Sequence, residues 1–573
     1  MNALEVNGLC VCHQEGDTQK KLVDNFSFFV KKGEISGIVG ESGSGKSTAM
    51  LAVMGLLGKG AVKTAGDVRV CGMEPEPGKN IAMIFQDSQN CLNPSLRIGR
   101  QITETIRMRR KCGRREAYDR AVELLEQTGI RSPELRMKQY PFELSGGMRQ
   151  RVVTAIALAC EPKVIIADEP TTALDAAVQS QILTLLGRMA KETGTALLLV
   201  SHDMGVIASL CRQIYVIKDG ALLESGSAEE IFYNPREDDT KRLIREASST
   251  RQYLPAEGAG DVCLQTDHVT CLFDTKEGVQ DLSLCLRKGE IFALAGESGS
   301  GKTTLARLAT GLLAPDKGSI LKTGGIQMVF QDPYASLNPC LTAGQTLGEA
   351  LAGKYGAKRN SQDRENRQKE QREMLELVGL KPSDEGKYPW ELSGGERQRL
   401  GIARALIMEP EILVCDEAFS ALDGPLQTQM LVLLRKLQEE REFACLFISH
   451  DIRMIRRISS RMGVMYMGRL VETGTTKDVC TDPWHPYTKR LVESVPEPDP
   501  VRAGRRHAGP VKEGRPPASG GCPYTGRCGY EMAVCREAVP GEEVFGGRMV
   551  RCFLYGEAHS KKRSGSGRMT SQI

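Results

Sequence analysis

The feature that most constrains this chain is an internal repeat, in which five short segments occur twice in the same order. The segment GIVGESGSGKST at 37–48 returns as ALAGESGSGKTT at 293–304, so that Lys46 and Lys302 are 256 residues apart. FQD, LSGG, a DE pair and SHD follow in both copies, with the same spacing from LSGG to DE and from DE to SHD. This period is far too long for a solenoid, so the chain is predicted to contain two complete domains, each with its own core.

Within each copy, short apolar runs alternate with longer helical stretches. The predicted buried strands of the first copy are 35–39, 81–85, 164–167 and 197–200. A helix with an apolar face is predicted over 176–190, and the alternation as a whole is typical of an α/β domain with a largely parallel sheet. Between Gln86 and Leu144, and between Gln331 and Leu392, the sequence becomes helical and charged, which predicts an inserted helical subdomain in each copy.

Changes in composition set the predicted boundaries. Pro255 and two glycines interrupt the pattern between the copies, and Pro, Gly and Arg become frequent after Pro496. The predicted organisation is a first domain at 1–247, a linker at 248–260, a second domain at 261–495, and a Cys-rich C-terminal extension at 496–573. The last dozen residues, rich in Lys, Arg, Ser and Gly, are predicted to be disordered.

Charge and hydropathy exclude two classes of protein. With 76 Lys+Arg against 72 Asp+Glu the chain lacks the basic surplus of a nucleic-acid binder, so no nucleic-acid partner is expected. The basic run at 107–115 and the mixed run at 354–373 are interpreted as solvated helix faces. No secretory signal opens the sequence and no run of about 18 apolar residues occurs, so we expect a cytosolic protein with reduced thiols and no transmembrane helix.

The pattern G-x-x-x-x-G-K-[ST] occurs twice, each time after an apolar strand and before a helix, the context in which it marks a phosphate-binding loop. Backbone N–H groups of such a loop wrap the phosphates, the lysine reaches the β- and γ-phosphates, and the hydroxyl of Ser47 or Thr303 coordinates Mg²⁺. The predicted ATP-binding residues of the two loops are Gly40, Glu41, Ser42, Gly43, Ser44, Gly45, Lys46, Ser47 and Thr48, and Gly296, Glu297, Ser298, Gly299, Ser300, Gly301, Lys302, Thr303 and Thr304.

Asp168 and Asp416 each end a short apolar strand, and each is followed by a glutamate. This position lies at the carboxyl edge of the sheet, where open α/β sheets bind their ligands. The aspartate can hold Mg²⁺ through water, and Glu169 or Glu417 can polarise the attacking water. A helix-capping role would explain one carboxylate but not an adjacent pair in both copies.

These motifs resemble the nucleotide-binding domains of the ABC ATPase superfamily, and LSGG at 144–147 and 392–395 is their most specific element. The resemblance implies two domains stacked head to tail, with each ATP between one P-loop and the opposite LSGG. It also implies that the glutamines contact Mg²⁺ and water and that the histidines contact the γ-phosphate. The implied first site is Lys46, Ser47, Gln86, Asp168, Glu169 and His202 with Ser393, Gly394 and Gly395, and the second is Lys302, Thr303, Gln331, Asp416, Glu417 and His450 with Ser145, Gly146 and Gly147.

Because neither copy lacks its glutamate or its histidine, both sites are expected to hydrolyse ATP, with Glu169, Glu417, His202 and His450 as the catalytic residues. In the family an aromatic residue upstream of the P-loop stacks on adenine, and Phe273 fits that place in the second copy. The first copy offers only His13 there. Two interpretations remain open: the first site binds ATP more weakly, or His13 is simply an exposed residue.

The segment Asp482-Pro-Trp-His-Pro-Tyr-Thr488, together with LSGGMRQR, resembles the oligopeptide/dipeptide/nickel importer branch of the superfamily. That resemblance covers about residues 1–555, although the first copy lacks the His-Pro-Tyr after Pro235. It implies an ATPase that energises uptake of di- or oligopeptides or a related small solute. It also implies two transmembrane permease subunits and an extracytoplasmic solute-binding protein as partners, and a location at the cytoplasmic face of the cell membrane. Peptides, glutathione, nickel and metal chelates all remain open as cargo.

The branch also carries a C-terminal cysteine motif, which Cys522, Cys528, Cys535 and Cys552 match. Four thiolates within 31 residues are able to hold a [4Fe–4S] cluster, as in some relatives, or Zn²⁺, and four free thiols are the third interpretation.

The main alternative function is a soluble tandem ABC ATPase that acts on ribosomes. Proteins of that class usually carry a long, charged helical linker, whereas the linker predicted here is about a dozen residues with Pro255 inside it. A DNA-repair ABC protein would need zinc modules inserted in its ATPase domains, and the sequence shows none.

Overall fold

The chain divides into two structural units in the computed structural model. The first consists of Met1–Ser249 with Val495–His507, and the second of Thr250–Ser494 with Ala508–Ile573. The structure describes residues 1–15, 18–41, 43–85, 91–171, 175–248, 260–273, 278–355, 361–420, 422, 424–503 and 520–556. Two predicted site residues, Ser42 and Gln86, lie outside the described residues, as do most of the predicted linker and the tail predicted to be disordered. The boundaries at 247, 260 and 495 stay predictions.

The apolar runs of the first copy form the predicted parallel sheet. The described strands of this unit are β1 (Asn2–Glu15), β2 (Thr18–Lys31), β3 (Ile35–Val39), β4 (Ala61–Val70), β5 (Ile81–Ile84), β6 (Val164–Asp168), β7 (Ala196–Ser201), β8 (Gln213–Lys218) and β9 (Ala221–Ser227). Six of them form a sheet in the order β5-β6-β7-β3-β8-β9, parallel except for β9. Every residue of β3, β5, β6 and β7 is buried because both faces of the sheet are covered.

One face of this sheet is covered by a second, antiparallel sheet in the order β2-β1-β4. Val6, Leu9 and Phe26 of the antiparallel sheet share a buried apolar cluster with Ile38 of β3 and with Met50. Met50 lies on the helix that follows the first P-loop. The first P-loop helix is therefore anchored in a rigid core.

Helices cover the other face, and the inserted segment is helical as predicted. The described helices of the first unit are Lys46–Val53, Ile98–Arg110, Arg114–Gln127, Pro133–Arg136, Gly146–Ala159, Ala176–Thr193, Met204–Leu210, Ala228–Tyr233, Asp238–Ser248 and Pro500–Ala503. Ile102 and Leu124 of the insertion pack with Val152 of the helix after LSGG in one buried cluster that reaches the sheet. This packing joins the inserted subdomain to the sheet core.

The second unit repeats this plan and extends it at one edge. Its described strands are β10 (Val262–Leu272), β11 (Gly278–Arg287), β12 (Ile291–Ala295), β13 (Lys317–Lys322), β14 (Ile326–Val329), β15 (Ile412–Asp416), β16 (Ala444–Ile448), β17 (Arg461–Tyr466), β18 (Arg469–Thr475), β19 (Glu543–Phe545) and β20 (Arg548–Val550). They form an antiparallel sheet, β11-β10-β13, and a mixed sheet, β14-β15-β16-β12-β17-β18-β20-β19. The hairpin β19-β20 comes from the C-terminal extension, so residues of that extension continue the sheet of the second ATPase copy.

The helices of the second unit follow the same order as those of the first. Those described are Lys302–Thr310, Pro333–Ser336, Ala343–Tyr355, Ser361–Leu377, Gly394–Leu406, Gly424–Arg441, Ile452–Ile458, Thr476–Thr481, Pro486–Glu493 and Ala533–Glu537. Among the described residues, no helix combines the length and apolar character needed to span a bilayer.

After the second copy the chain returns to the first unit. The hydroxyl of Tyr233 donates a hydrogen bond to Asp499 Oδ1 over 2.8 Å. A side chain at Gly205 would meet the carbonyl oxygen of Pro496 at 2.5 Å, so the helix Met204–Leu210 accepts this segment only because a glycine stands there. Val495–Ala503 is in this way part of the first unit.

Candidate functional site

The first P-loop connects β3 to the helix Lys46–Val53. Gly45 adopts a φ of 93°, and a side chain at Gly40 would lie 2.3 Å from the carbonyl oxygen of Ile217, so the loop needs glycine at both places. Lys46 is buried, and its Nζ donates to the carbonyl oxygens of Gly40 at 2.8 Å and Glu41 at 2.6 Å. The loop is thus curled around its own lysine, the arrangement that presents an ammonium group and backbone N–H groups to a phosphate.

The second P-loop, between β12 and the helix Lys302–Thr310, has the same construction. Lys302 Nζ donates to the carbonyl oxygens of Gly296 and Glu297, both at 2.9 Å. Gly301 has a φ of 100°, and a side chain there would lie 2.5 Å from a backbone oxygen of Gly278. Two independent copies of the sequence pattern therefore produce one loop geometry.

The two aspartates lie where the sequence predicted, at the carboxyl ends of β6 and β15. Burial raises the pKa of Asp168, and a hydrogen bond from Ser47 opposes that rise. Asp416 behaves in the same way, with the Thr303 hydroxyl donating to its Oδ1 over 3.2 Å. Asp168 Oδ1 is buried and has no hydrogen-bond partner among the residues that the structure describes. A hydroxyl beside a desolvated carboxylate is an all-oxygen donor set, which fits the predicted Mg²⁺ of a nucleotide complex.

Each glutamate predicted to be catalytic follows its aspartate and pairs with the predicted histidine. Glu169 Oε1 lies 2.8 Å from His202 Nδ1, and Glu417 Oε2 lies 3.3 Å from His450 Nδ1. Burial lowers the pKa of both histidines, but the hydrogen bond and charge of the glutamate raise it more, so each pKa lies above its usual value. Although burial raises the pKa of Glu417, the hydrogen bond and charge of His450 bring it below its usual range. The pair in the second unit favours the ionised form of Glu417, and in both units the contact with the histidine fixes the direction of the carboxylate.

Both glutamates have a left-handed backbone, with φ of 45° at Glu169 and 47° at Glu417. Such a conformation costs a residue with a side chain about 1–2 kcal/mol. It is held by backbone hydrogen bonds from Glu169 N–H to Val200 and from Glu417 N–H to Ile448, at 2.8 and 3.0 Å. Strain that recurs at the same place in two copies points to a functional requirement on the direction of the carboxylate.

Gln331 completes the second cluster, since its Nε2 donates to Glu417 Oε2 over 3.2 Å. Lys302 Nζ lies 3.9 Å from the other oxygen of the same carboxylate. The structure therefore brings together Lys302, Thr303, Gln331, Asp416, Glu417 and His450 in the second unit, and Lys46, Ser47, Asp168, Glu169 and His202 in the first. The sheet order explains this, because the strands that precede these residues are neighbours and end at one edge.

Each LSGG segment begins a helix. Ser145 caps the helix Gly146–Ala159 by accepting from Met148 N–H, and Ser393 caps Gly394–Leu406 by accepting from Glu396 N–H. Unsatisfied N–H groups at a helix start favour an anion such as a phosphate. The pairing of each LSGG segment with the P-loop of the other copy stays a prediction.

The predicted adenine-stacking positions are equivalent in the two copies. Buried positions recur with the same spacing in the two strands: 3, 4, 6, 9 and 11 in β1, and 263, 264, 266, 269 and 271 in β10. In this alignment of the two copies, His13 is the residue that corresponds to Phe273. Phe273 directly follows β10 and is 47% exposed. His13 lies inside the longer strand β1 and is partly buried. Its ring is so close to Gly60 that a side chain at position 60 would meet the ring at 2.7 Å.

We expect Phe273→Ala to weaken ATP binding at the second site by roughly 5- to 150-fold, because stacking of an aromatic ring on a base is worth about 1–3 kcal/mol. Equilibrium binding of a fluorescent ATP analogue checks this in a Lys46→Ala background, where only the second P-loop keeps its lysine. The matched control is His13→Ala in a Lys302→Ala background. Equal losses from both substitutions would show that His13 stacks on the base as Phe273 does.

The four C-terminal cysteines are free thiols, partly or fully buried. Burial raises the pKa of Cys522, Cys528 and Cys552, the last to about 12, and the charges of neighbouring cysteines raise each further. In the described parts of the chain, no group of three or more His, Cys, Asp or Glu side chains is arranged to hold a metal ion. The structure therefore does not support the predicted iron–sulfur or zinc site.

Sequence reasoning missed the residues that hold the P-loop glutamates. Arg242 forms an ion pair with Glu41, and Arg527 lies 3.6 Å from Glu297. The hydroxyl of Tyr487 accepts a hydrogen bond from Glu297 N–H over 2.9 Å. These partners are about 190 to 230 residues away in the chain, and no local pattern connects them.

Comparison with known families agrees with this geometry. The ABC transporter family matches residues 23–172 and 279–420, and the C-terminal region of oligopeptide/dipeptide transporters matches residues 471–535.

Similar proteins cover most of the chain. The glutathione import ATP-binding protein GsiA of Salmonella choleraesuis is 37% identical over 576 residues, covering 87% of this chain and 90% of its own length. The Escherichia coli protein of the same name is 36% identical over 575 residues, covering 87% and 90%. The peptidoglycan transport ATP-binding protein YejF of Agrobacterium fabrum is 38% identical over 531 residues, covering 86% and 96%.

Among solved structures, the archaeal ribosome recycling factor aABCE1, in complex with ribosomal stalk protein aP1, superposes with a TM-score of 0.56 at 22% identity. The alignment covers 80% of this chain and 89% of that one. A structure of RNase-L Inhibitor gives 0.52 at 22% identity with the same coverage. These likenesses concern the fold of a two-copy ATPase.

Proposed function

Because this chain belongs to the ABC transporter family, we propose that it hydrolyses ATP to power the import of di- or oligopeptides, or of a related small solute such as glutathione. The observation that carries the proposal is the pair of side-chain clusters, each with its glutamate–histidine contact, in a chain that also matches the oligopeptide/dipeptide transporter region. The chain is an ATPase, as the sequence predicted.

In each cluster the residues divide the work of hydrolysis. The P-loop lysine binds phosphate oxygens. The hydroxyl of Ser47 or Thr303 with its aspartate would hold Mg²⁺, which would supply neutralisation of charge on the phosphates. The glutamate accepts a proton from the attacking water, and the histidine fixes that carboxylate in direction. The proposed role of the LSGG segments is to contact the γ-phosphate of the ATP bound by the other copy.

The proposed partners are two transmembrane permease subunits and an extracytoplasmic solute-binding protein, with this chain at the cytoplasmic face of the cell membrane. Names of relatives from Salmonella and Escherichia coli support import, since both describe import ATP-binding proteins. ATP-driven closure would move the permease helices and hydrolysis would reset them.

Action on ribosomes has less support. The archaeal ribosome recycling factor aABCE1 shares only the fold with this chain, at 22% identity. The match at residues 471–535 is to a transporter region and includes the His-Pro-Tyr segment.

Affinity purification of the tagged chain from solubilised native membranes, followed by mass spectrometry, tests the proposal. We expect two permeases and a solute-binding protein to co-purify, since the ATPase must contact the permeases to move them. The recovered binding protein is then screened against peptides, glutathione, nickel and metal chelates by thermal shift. Recovery of ribosomal proteins without a permease would move the ribosome-acting ATPase to first place; the same purification from the soluble fraction is the control.

A further inference from the structure

The segment that carries His-Pro-Tyr forms a hydrogen bond with the backbone of the second P-loop. The hydroxyl of Tyr487 accepts a hydrogen bond from the backbone N–H of Glu297, the second residue of the loop, over 2.9 Å. Tyr487 is only 1% exposed and lies in the first turn of the helix Pro486–Glu493. The contact therefore joins a buried, ordered side chain to the backbone of the loop.

The ring of Tyr487 is fixed by two further tyrosines. Its centroid lies 4.5 Å from that of Tyr466 and 5.6 Å from that of Tyr524, and the rings of Tyr466 and Tyr524 are 5.2 Å apart in an edge-to-face arrangement. Tyr466 ends β17, whereas Tyr524 belongs to the cysteine-bearing C-terminal segment. The C-terminal segment thus closes the cluster that positions the Tyr487 hydroxyl.

The same C-terminal segment also contacts the second P-loop through a charged side chain. Arg527 Nη1 donates to the Tyr466 hydroxyl over 3.2 Å and lies 3.6 Å from Glu297 Oε2. The backbone N–H and the carboxylate of one P-loop residue are both contacted, one by Tyr487 and the other by Arg527.

In the first unit, different contacts hold the corresponding glutamate of the P-loop. Aligning Pro235-x3-Asp-Thr-Lys-Arg242 with Pro483-x3-Tyr-Thr-Lys-Arg490 places Asp239 where the second copy has Tyr487. There the P-loop carboxylate, Glu41, pairs with Arg242, and both side chains are more than 40% exposed. An exposed ion pair contributes little to holding a loop, whereas the buried contact of the second unit is protected from water.

We propose that Tyr487 and Arg527 are positioning residues for the second ATP site, through which the cysteine-bearing C-terminal segment supports its P-loop. This rests on the proposed function only in that the second P-loop binds ATP. The segment therefore holds the P-loop of the second ATP site, whereas the P-loop of the first site is held by the exposed ion pair of Glu41 with Arg242.

The test is Tyr487→Phe in a Lys46→Ala background, with binding of trinitrophenyl-ATP to the full chain as the readout. Loss of one acceptor for a loop N–H should weaken binding about 3- to 10-fold. Arg527→Gln should weaken it in the same direction, and Arg527→Lys, which keeps the charge, should restore part of the affinity. In a Lys302→Ala background, where only the first P-loop keeps its lysine, Tyr487→Phe should change nothing.

Tyr524→Phe is the matched control, because it removes a hydroxyl from the same cluster that bonds to Arg490 instead of the P-loop. Equal weakening by Tyr524→Phe and Tyr487→Phe, or wild-type affinity of Tyr487→Phe in the Lys46→Ala background, would overturn the inference and leave the proposed function intact. Failure of the Lys46→Ala protein itself to bind nucleotide would overturn both.

Discussion

Glu169→Gln is expected to lower ATP hydrolysis at the first site by roughly 10²–10⁴-fold, the usual contribution of a general base. Glutamine keeps the size of the side chain but cannot accept the proton of the attacking water. It also loses the charge that holds His202, whose Nδ1 lies 2.8 Å from the carboxylate. Glu417→Gln should have the same effect at the second site, and the double variant should retain almost no hydrolysis.

Single-turnover release of phosphate, measured in Lys46→Ala and Lys302→Ala backgrounds, separates the two sites. ATP binding at the measured site should persist in the glutamine variants, because the P-loop lysine of that site is intact. Glu192→Gln, on the exposed end of the helix Ala176–Thr193, makes the same chemical change away from the cluster and should leave the rate unchanged. Full hydrolysis by Glu169→Gln would remove Glu169 from the catalytic residues.

Much of the ATPase fold could be predicted because the central strands of its two larger sheets are parallel and buried. Such strands appear in the sequence as continuous apolar runs, and the strand predicted at 197–200 differs from Ala196–Ser201 only at its ends. The hairpin β19-β20 could not be predicted, since its strands have three residues each and join the sheet through the pairing of β20 with β18, a distant segment of the chain.

The catalytic cluster was predictable for a different reason. Its lysine, aspartate, glutamate and histidine each follow a strand, so the order of the strands brings them to one edge. The backbone strain at Glu169 and Glu417 leaves no trace in the sequence, because glutamate has no preference for a left-handed conformation. Supports such as Tyr487 depend on tertiary packing between distant segments, which residue types at a given spacing do not encode.

A buried carboxylate ties the C-terminal extension to the second ATPase copy. Glu472 on β18 is fully buried and accepts hydrogen bonds from the backbone N–H groups of Trp484 and His485, at 2.9 and 2.8 Å. Arg548 of β20 donates a third hydrogen bond to the Glu472 carboxylate, over 2.8 Å, and the guanidinium of Arg548 lies 3.9 Å from the Trp484 ring. One side chain therefore satisfies three donors from two separate segments.

Glu472→Ala is expected to lower the free energy of unfolding of the second unit by about 3–5 kcal/mol, because it leaves Arg548 buried without its partner and strands two backbone donors. Both tryptophans, Trp390 and Trp484, lie in the second unit, so intrinsic fluorescence during heating reports its unfolding. The midpoint of unfolding should fall by on the order of 10 °C.

Asp482→Ala is the matched control, since Asp482 lies 3.9 Å from the same arginine but its side chain is 82% exposed, and an exposed ion pair is worth about 0–1 kcal/mol. If the two variants unfolded at the same temperature, the extension would not be anchored through Glu472, and the hairpin β19-β20 would be held by other contacts, such as its backbone pairing with β18 and the hydrogen bond from Arg548 to the carbonyl oxygen of Asp482.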